Sequence, residues 1–121
     1  MATHNELGKW GEQVAERHLL EKDYRIVQCN WHYGHRDIDI IAAKGDMLVF
    51  VEVKTRKSAD FAMAREHVDF RKQERLKKTA ALYLSQNPSN LQPRFDVIEI
   101  YAPQGHTTLD PKITHLEDAF Q

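Results

Sequence analysis

Residues 37–55, DIDIIAAKGDMLVFVEVKT, constrain this chain more than any other stretch. Two runs rich in Ile, Val, Leu and Phe flank a short polar join, and such residues suit the pleated, half-buried surface of a sheet. The join contains Gly45-Asp46, a turn pair with glycine first, as a type II′ hairpin turn needs. A turn there pairs Lys44 with Met47, sets Ile41 against Phe50 and Asp39 against Glu52, and brings Asp37 opposite Lys54. Directly opposed residues have Cβ atoms roughly 4.5–5.5 Å apart. A one-residue change in the loop would separate the two carboxylates, so the register is the sensitive point.

Two opposed carboxylates repel, and charge buried without a partner costs on the order of several kcal/mol. A cation between Asp39 and Glu52 removes that cost. One or two carboxylates completed by water and phosphate suit Mg²⁺ or Mn²⁺. Lys54 projects on the same face as Glu52, because side chains alternate with period two. An ammonium there can hold a phosphate oxygen or orient an attacking water. The bland alternative is an edge hairpin with its charges in solvent and an Asp37–Lys54 pair worth under about 1 kcal/mol. That accounts for Lys54 but leaves Asp39 facing Glu52 unexplained.

The rest of the chain supplies a frame around this hairpin. THNE at 3–6 matches a capping box, with Thr3 as N-cap and Glu6 reaching back, so a helix is expected to about Glu21. Leu7, Trp10, Val14 and His18 fall on one stripe, and Glu12 lies on its flank. Gly8 and Gly11 lower helix propensity and suggest a close neighbour. YRIVQCN (24–30) reads as a strand, WHYGHR (31–36) as a loop or bend, and 58–66 as a loop without clear period. A second helix from His67 to about Gln86 carries Val68, Leu76, Thr79, Ala80 and Tyr83 on one stripe, and NPSNLQP breaks it. RFDVIEIYA (94–102) is a further strand, and 107–120 is a tail, strand-like or ending in a short helical turn. The order α-β-β-β-α-β predicts one α/β domain over residues 1–121.

Composition narrows the class. Hydrophobic residues make up 41% and charged residues 29%, as in a soluble globular chain, and no apolar run approaches the roughly 18–20 residues that span a bilayer. MATHNELGKWGE lacks the basic and then apolar regions of a signal peptide, and Cys29 is the only cysteine, so a reducing, cytoplasmic setting without disulfides is expected. Net charge is −1, which argues against a general nucleic-acid binder. Its distribution is uneven. Arg56, Lys57, Arg71, Lys72, Arg75, Lys77 and Lys78 lie in a basic segment after the hairpin, whereas acids predominate from Phe95 onward. Such a segment is either a solvated helix face or a surface for DNA phosphates.

Together these features resemble a known family. Glu12 on a first helix, then Asp39, then Glu52-Val53-Lys54 resembles the PD-(D/E)XK nuclease superfamily. GKWGEQVAERHLLEKDYRIVQCN, RDIDIIAAKGDMLVFVEVKTR and RFDVIEI more closely resemble the bacterial YraN-like family, itself similar to archaeal Holliday-junction resolvases. The resemblance implies a restriction-endonuclease-like fold, with a mixed central sheet flanked by helices, and Mg²⁺- or Mn²⁺-dependent hydrolysis of DNA phosphodiesters, branched or junction DNA foremost. It implies metal ligation by Asp39, Glu52 and the Val53 carbonyl, with Glu12 reaching the ion directly or through water, and Lys54 acting on the water and the developing phosphate charge. Resolvase members work as homodimers, which extends to this chain as an implied partner. A non-catalytic nucleic-acid- or protein-binding module on the same fold is the alternative. The chain departs from the family pattern at Trp31, Arg36-Asp37 and Ala62, around the rim of the site.

Further candidates are weaker. Lys72 falls on the apolar stripe of the second helix, where it either reaches the site or snorkels to water. His32 and His35 have metal-like spacing but no cysteine pair beside them. Trp31 is expected in the core ahead of a base-stacking role, Trp10 in the core, and Cys29 as a plain strand residue.

Overall fold

The computed structural model describes residues 4–58 and 69–121. Its elements run α1 (His4–Glu21), β1 (Arg25–Tyr33), β2 (Arg36–Lys44), β3 (Met47–Arg56), α2 (Phe70–Gln86), β4 (Gln92–Tyr101), a 3₁₀ turn (Gly105–Thr107) and β5 (Lys112–Phe120). The five strands form one mixed sheet in sequence order. β3 and β4 are parallel, with α2 in the crossover between them, and the other neighbours are antiparallel. No helix among the described residues is long and apolar enough to cross a membrane. This is the mixed α/β architecture expected of a restriction-endonuclease-like fold, extended by a fifth strand.

Each face of the sheet buries one helix. On one side Val14, Ala15 and Leu19 of α1 pack on Ile40, Ala42, Val49, Val51, Ile98 and Ile100. On the other, Leu76, Ala80 and Tyr83 of α2 pack on Ile41, Ala43, Leu48 and Phe50. Both faces of β2 and β3 are thus covered, which is why their sequences read as near-continuous apolar runs. The buried face of α1 centres on Gly11, Ala15 and Leu19; Trp10 and His18 of the expected stripe are only half-buried. A Cβ at Gly11 would collide with the Thr55 side chain, whereas nothing approaches Gly8. The close approach is therefore at one glycine, and it seats α1 on the far end of β3.

The β2–β3 hairpin has the expected register. Lys44 pairs with Met47 and Ile41 with Phe50, and Gly45 has the positive φ of 59° that a type II′ turn places first. WHYGHR is not a loop. β1 runs on to Tyr33, pairs with Arg36 and turns at Gly34-His35, because Gly34 accepts a φ of 63°. α2 starts at Phe70: Asp69 is its N-cap, accepting from the Lys72 N–H at 3.0 Å. The expected helical positions His67 and Val68, the capping Thr3, and Ala62 lie outside the described residues. The tail resolves as a strand, with β5 antiparallel to β4.

Candidate functional site

The β2–β3 ladder ends early. Its last pair is Ile40 with Val51; beyond it β2 follows β1 toward the Gly34 turn, while β3 keeps its parallel pairing with β4 as far as Arg56. Asp39 and Glu52 are therefore not a ladder pair, and Asp37 does not face Lys54. The expected register holds up to the point where two carboxylates would be opposed, and the strands part there. The ladder bond is replaced by a side chain: the Val53 N–H donates to Asp39 Oδ2 at 2.8 Å. In an extended strand the N–H and C=O of one residue leave by the same edge. The Val53 carbonyl thus also faces the gap that β2 vacates.

The divergence begins at Asn30. Cys29 pairs with Ile40 and Trp31 with Ile38, so Asn30 stands across from Asp39. Asn30 has φ of 53°, which Asn tolerates better than most residues. The β1–β2 ribbon rolls over at this point: Cys29 and Ile40 pack on the α1 side, Trp31 and Ile38 on the α2 side. The Asn30 side chain also acts on the Glu12 carboxyl of α1, favouring its ionised form. Sequence reasoning missed this residue. Its signal is a backbone angle, and the only hint in the sequence is an asparagine within an apolar strand.

Four acids converge here. Burial pushes the Asp39 carboxyl up to about 7, helped by the Glu52 charge and then, against the Val53 N–H, by Glu12 and Asp37. Burial also raises Glu12, opposed by the Asn30 hydrogen bond and reinforced by Asp37 and Glu52. Two lysines face the same centre. Lys54 Nζ lies 3.8 Å and Lys72 Nζ 3.9 Å from Glu52 Oε1. Burial and the neighbouring Lys54 hold Lys72 below its ordinary value, against the pull of Glu52. A lysine on the apolar stripe of α2 has a structural reason: its ammonium reaches Glu52.

The donor set is oxygen only. No group of three or more His, Cys, Asp or Glu among the described residues has a metal-holding arrangement. A closed, all-protein cage is thus absent from that region, and zinc at His32 and His35 gains no support. Two carboxylates and a main-chain carbonyl on a solvent-accessible gap do fit a hard cation that keeps several waters, as Mg²⁺ does. Burial and the Glu52 charge together disfavour an ionised Asp39, and such an ion would offset both.

The basic residues named from the sequence divide. Lys57, Arg71, Arg75 and Lys78 are exposed. Arg56 turns inward to Glu99 at 3.6 Å, and Lys77 pairs with Glu74 at 3.1 Å, so these two are partly neutralised. Trp31 is buried edge-on against Tyr83, with ring centroids 5.2 Å apart, and is not available to stack on a base. Cys29 donates to Glu16 at 3.6 Å, and burial together with that carboxylate pushes its thiol up to about 11. It is a poor nucleophile at neutral pH.

Residues 11–100 match the family described as Uncharacterised protein family UPF0102. The chain belongs to the UPF0102 family. This confirms the YraN-like resemblance, and the matched span contains Glu12, Asn30, Asp39, Glu52, Lys54 and Lys72. A UPF0102 protein of Flavobacterium psychrophilum is 42% identical over 120 residues, covering 99% of this chain and 98% of the relative. One from Caldanaerobacter subterraneus is 42% identical over 115 residues, covering 94% and 93%. A third, from Bacteroides thetaiotaomicron, is 42% identical over 120 residues, covering 99% and 96%.

Proposed function

We propose that this UPF0102 protein is a metal-dependent endonuclease of the PD-(D/E)XK type that hydrolyses DNA phosphodiesters, with branched or junction DNA as its substrate. The observation that carries the reading is the break in the β2–β3 ladder, which leaves Asp39 and Glu52 outside the pairing of these two strands, with the Glu52 charge acting on Asp39 and Lys54 and Lys72 on Glu52. A purely structural hairpin would gain by continuing the ladder. This one gives up pairing where the acids are.

Asp39, Glu52 and the Val53 carbonyl would hold Mg²⁺ or Mn²⁺, with Glu12 contributing directly or through water. Bound there, the ion supplies Lewis-acid polarisation of a phosphoryl oxygen and an activated water. The chain's own groups do the rest. Lys54 and Lys72 set positive charge where the phosphate develops negative charge. Asn30 favours the ionised form of Glu12, opposing the effect of burial. The Val53 N–H holds the Asp39 carboxylate in one orientation. Lys57, Arg71, Arg75 and Lys78 would meet neighbouring DNA phosphates.

The test is cleavage of duplex, flap and four-way-junction DNA with Mn²⁺. Wild type nicks at least one substrate, and Asp39→Ala or Glu52→Ala lowers the rate by about 100-fold or more, the scale of losing one group that stabilises transition-state charge. Absence of metal-dependent nicking on every substrate, at high protein and low salt, overturns the enzyme reading. A second reading, a DNA-binding module without catalysis, is favoured by the two lysines on Glu52 and by the lack of a three-ligand cluster among the described residues. DNA retention by a protein that binds no Mn²⁺ in calorimetry selects it.

A further inference from the structure

The β1–β2 turn stands beside the carboxylates on the side away from β3. His32, His35 and Arg36 from this turn, with Glu12, Asp37 and Asp39, line a groove of about 490 Å³. The groove is continuous with the proposed centre, because Asp39 and Glu12 belong to both. Among the described residues, neither the Arg36 nor the His35 side chain has a hydrogen-bond or ion-pair partner. Arg36 is thus an exposed cation left free beside three carboxylates, in a protein whose Arg56 and Arg94 are both paired inward. Gly34 at φ of 63° and the Tyr33–Arg36 pair fix the turn, so Arg36 is presented from a two-stranded ribbon and not from a loose loop.

Building on the nuclease reading, we propose that this turn is a second phosphate-binding wall. Arg36, with His35 and His32, takes backbone phosphates of the bound DNA on the opposite side of the carboxylates from Lys54 and Lys72. The strand to be cut would then be held from both sides of the scissile bond: by α2 and β3 on one, by the ribbon tip on the other. A guanidinium suits this position, since it offers a planar fork to a phosphate and stays charged at any working pH. A cationic wall next to acids is also what a site needs if its anionic ligand must be drawn over carboxylates.

The experiment is fluorescence anisotropy of a labelled DNA duplex against KCl concentration, using the full chain, with Mn²⁺ cleavage measured in parallel. The variants are Arg36→Ala with His35→Ala, Arg36→Lys, and Arg71→Ala with Arg75→Ala on α2. Circular dichroism confirms that each folds; all these side chains are exposed. The turn double variant is expected to bind about tenfold more weakly, with a slope of log K against log salt shallower by about 0.9 for each phosphate it no longer engages. Arg36→Lys keeps the wild-type slope. An unchanged affinity and slope in the turn variant, while the α2 variant loses both, overturns this proposal and leaves the nuclease reading intact. Failure of the wild type to bind or cut DNA at any salt overturns both.

Discussion

At the scale of single residues, two backbone positions carry the site. Asn30 accepts a left-handed φ across from Asp39, and strain of this kind is held where the surroundings require it. Asn30→Gly removes the strain and, in a metal-free thermal melt, is expected to raise Tm by a few degrees, on the order of 1 kcal/mol. The same variant removes the amide that favours ionised Glu12 and should lower the cleavage rate. A lower Tm would show that the Asn30 side chain contributes more than the strain costs. Gly11 is the other position, pressed against Thr55. Gly11→Ala overpacks the α1–β3 junction and should cost about 1–3 kcal/mol in urea unfolding. Adding Thr55→Ala should recover part of that loss, and strict additivity of the two would argue against direct packing between them. Asp39, Glu52 and Lys54 were legible as candidates from a tight turn and period-two alternation, and Glu12 from its place on the flank of the first helix together with the family resemblance. Asn30 was not, since no alternation rule reports a φ angle.

At the scale of elements, periodicity located both helices and four strands but not how the ends are secured. The α2 boundary follows from the Asp69 cap and not from the apolar stripe. The tail was ambiguous because KITHLEDAF alternates weakly; what orders it is a buried charge on β4. Asp96 is fully buried and accepts from Arg94, His115 Nε2 and the Asp118 N–H at 2.8–2.9 Å. His115 in turn lies 3.1 Å from His18 Nε2, so α1, β4 and β5 are tied together. Burial alone would raise the Asp96 carboxyl; the hydrogen bonds from His115, Arg94 and Asp118 outweigh it and hold it below its ordinary value. The linkage sign follows. This stabilisation is fully present above about pH 4, the unfolded value, and is lost as pH falls through the lower folded value. Asp96→Ala should cost about 3–5 kcal/mol at pH 7 by leaving Arg94 and His115 without their carboxylate. In denaturant titrations from pH 6 to pH 2, Asp96→Asn should show a flatter acid limb than wild type; parallel curves would mean that Asp96 is not the group responsible.

At the scale of the whole molecule, the sheet divides the labour. β1 to β4 and both helices build a two-faced core, while β5 covers the outer edge of β4 and leaves the divergent ends of β2 and β3 open. A net charge of −1 conceals this arrangement, because acids gathered in the gap offset exposed cations around it. The hairpin sequence overstated the length of the ladder, for a reason of strand pairing: β3 has β4 as its parallel partner to the end, so β2 can leave it without unravelling the sheet. The most direct measurement is anomalous diffraction from crystals of this protein soaked in Mn²⁺. A peak is expected in the cleft between the Asp39 and Glu52 carboxylates, within coordination distance of both and absent in Asp39→Asn crystals. Saturating Mn²⁺ with no peak there, and Lys54 and Lys72 still on Glu52, would contradict the proposed metal site.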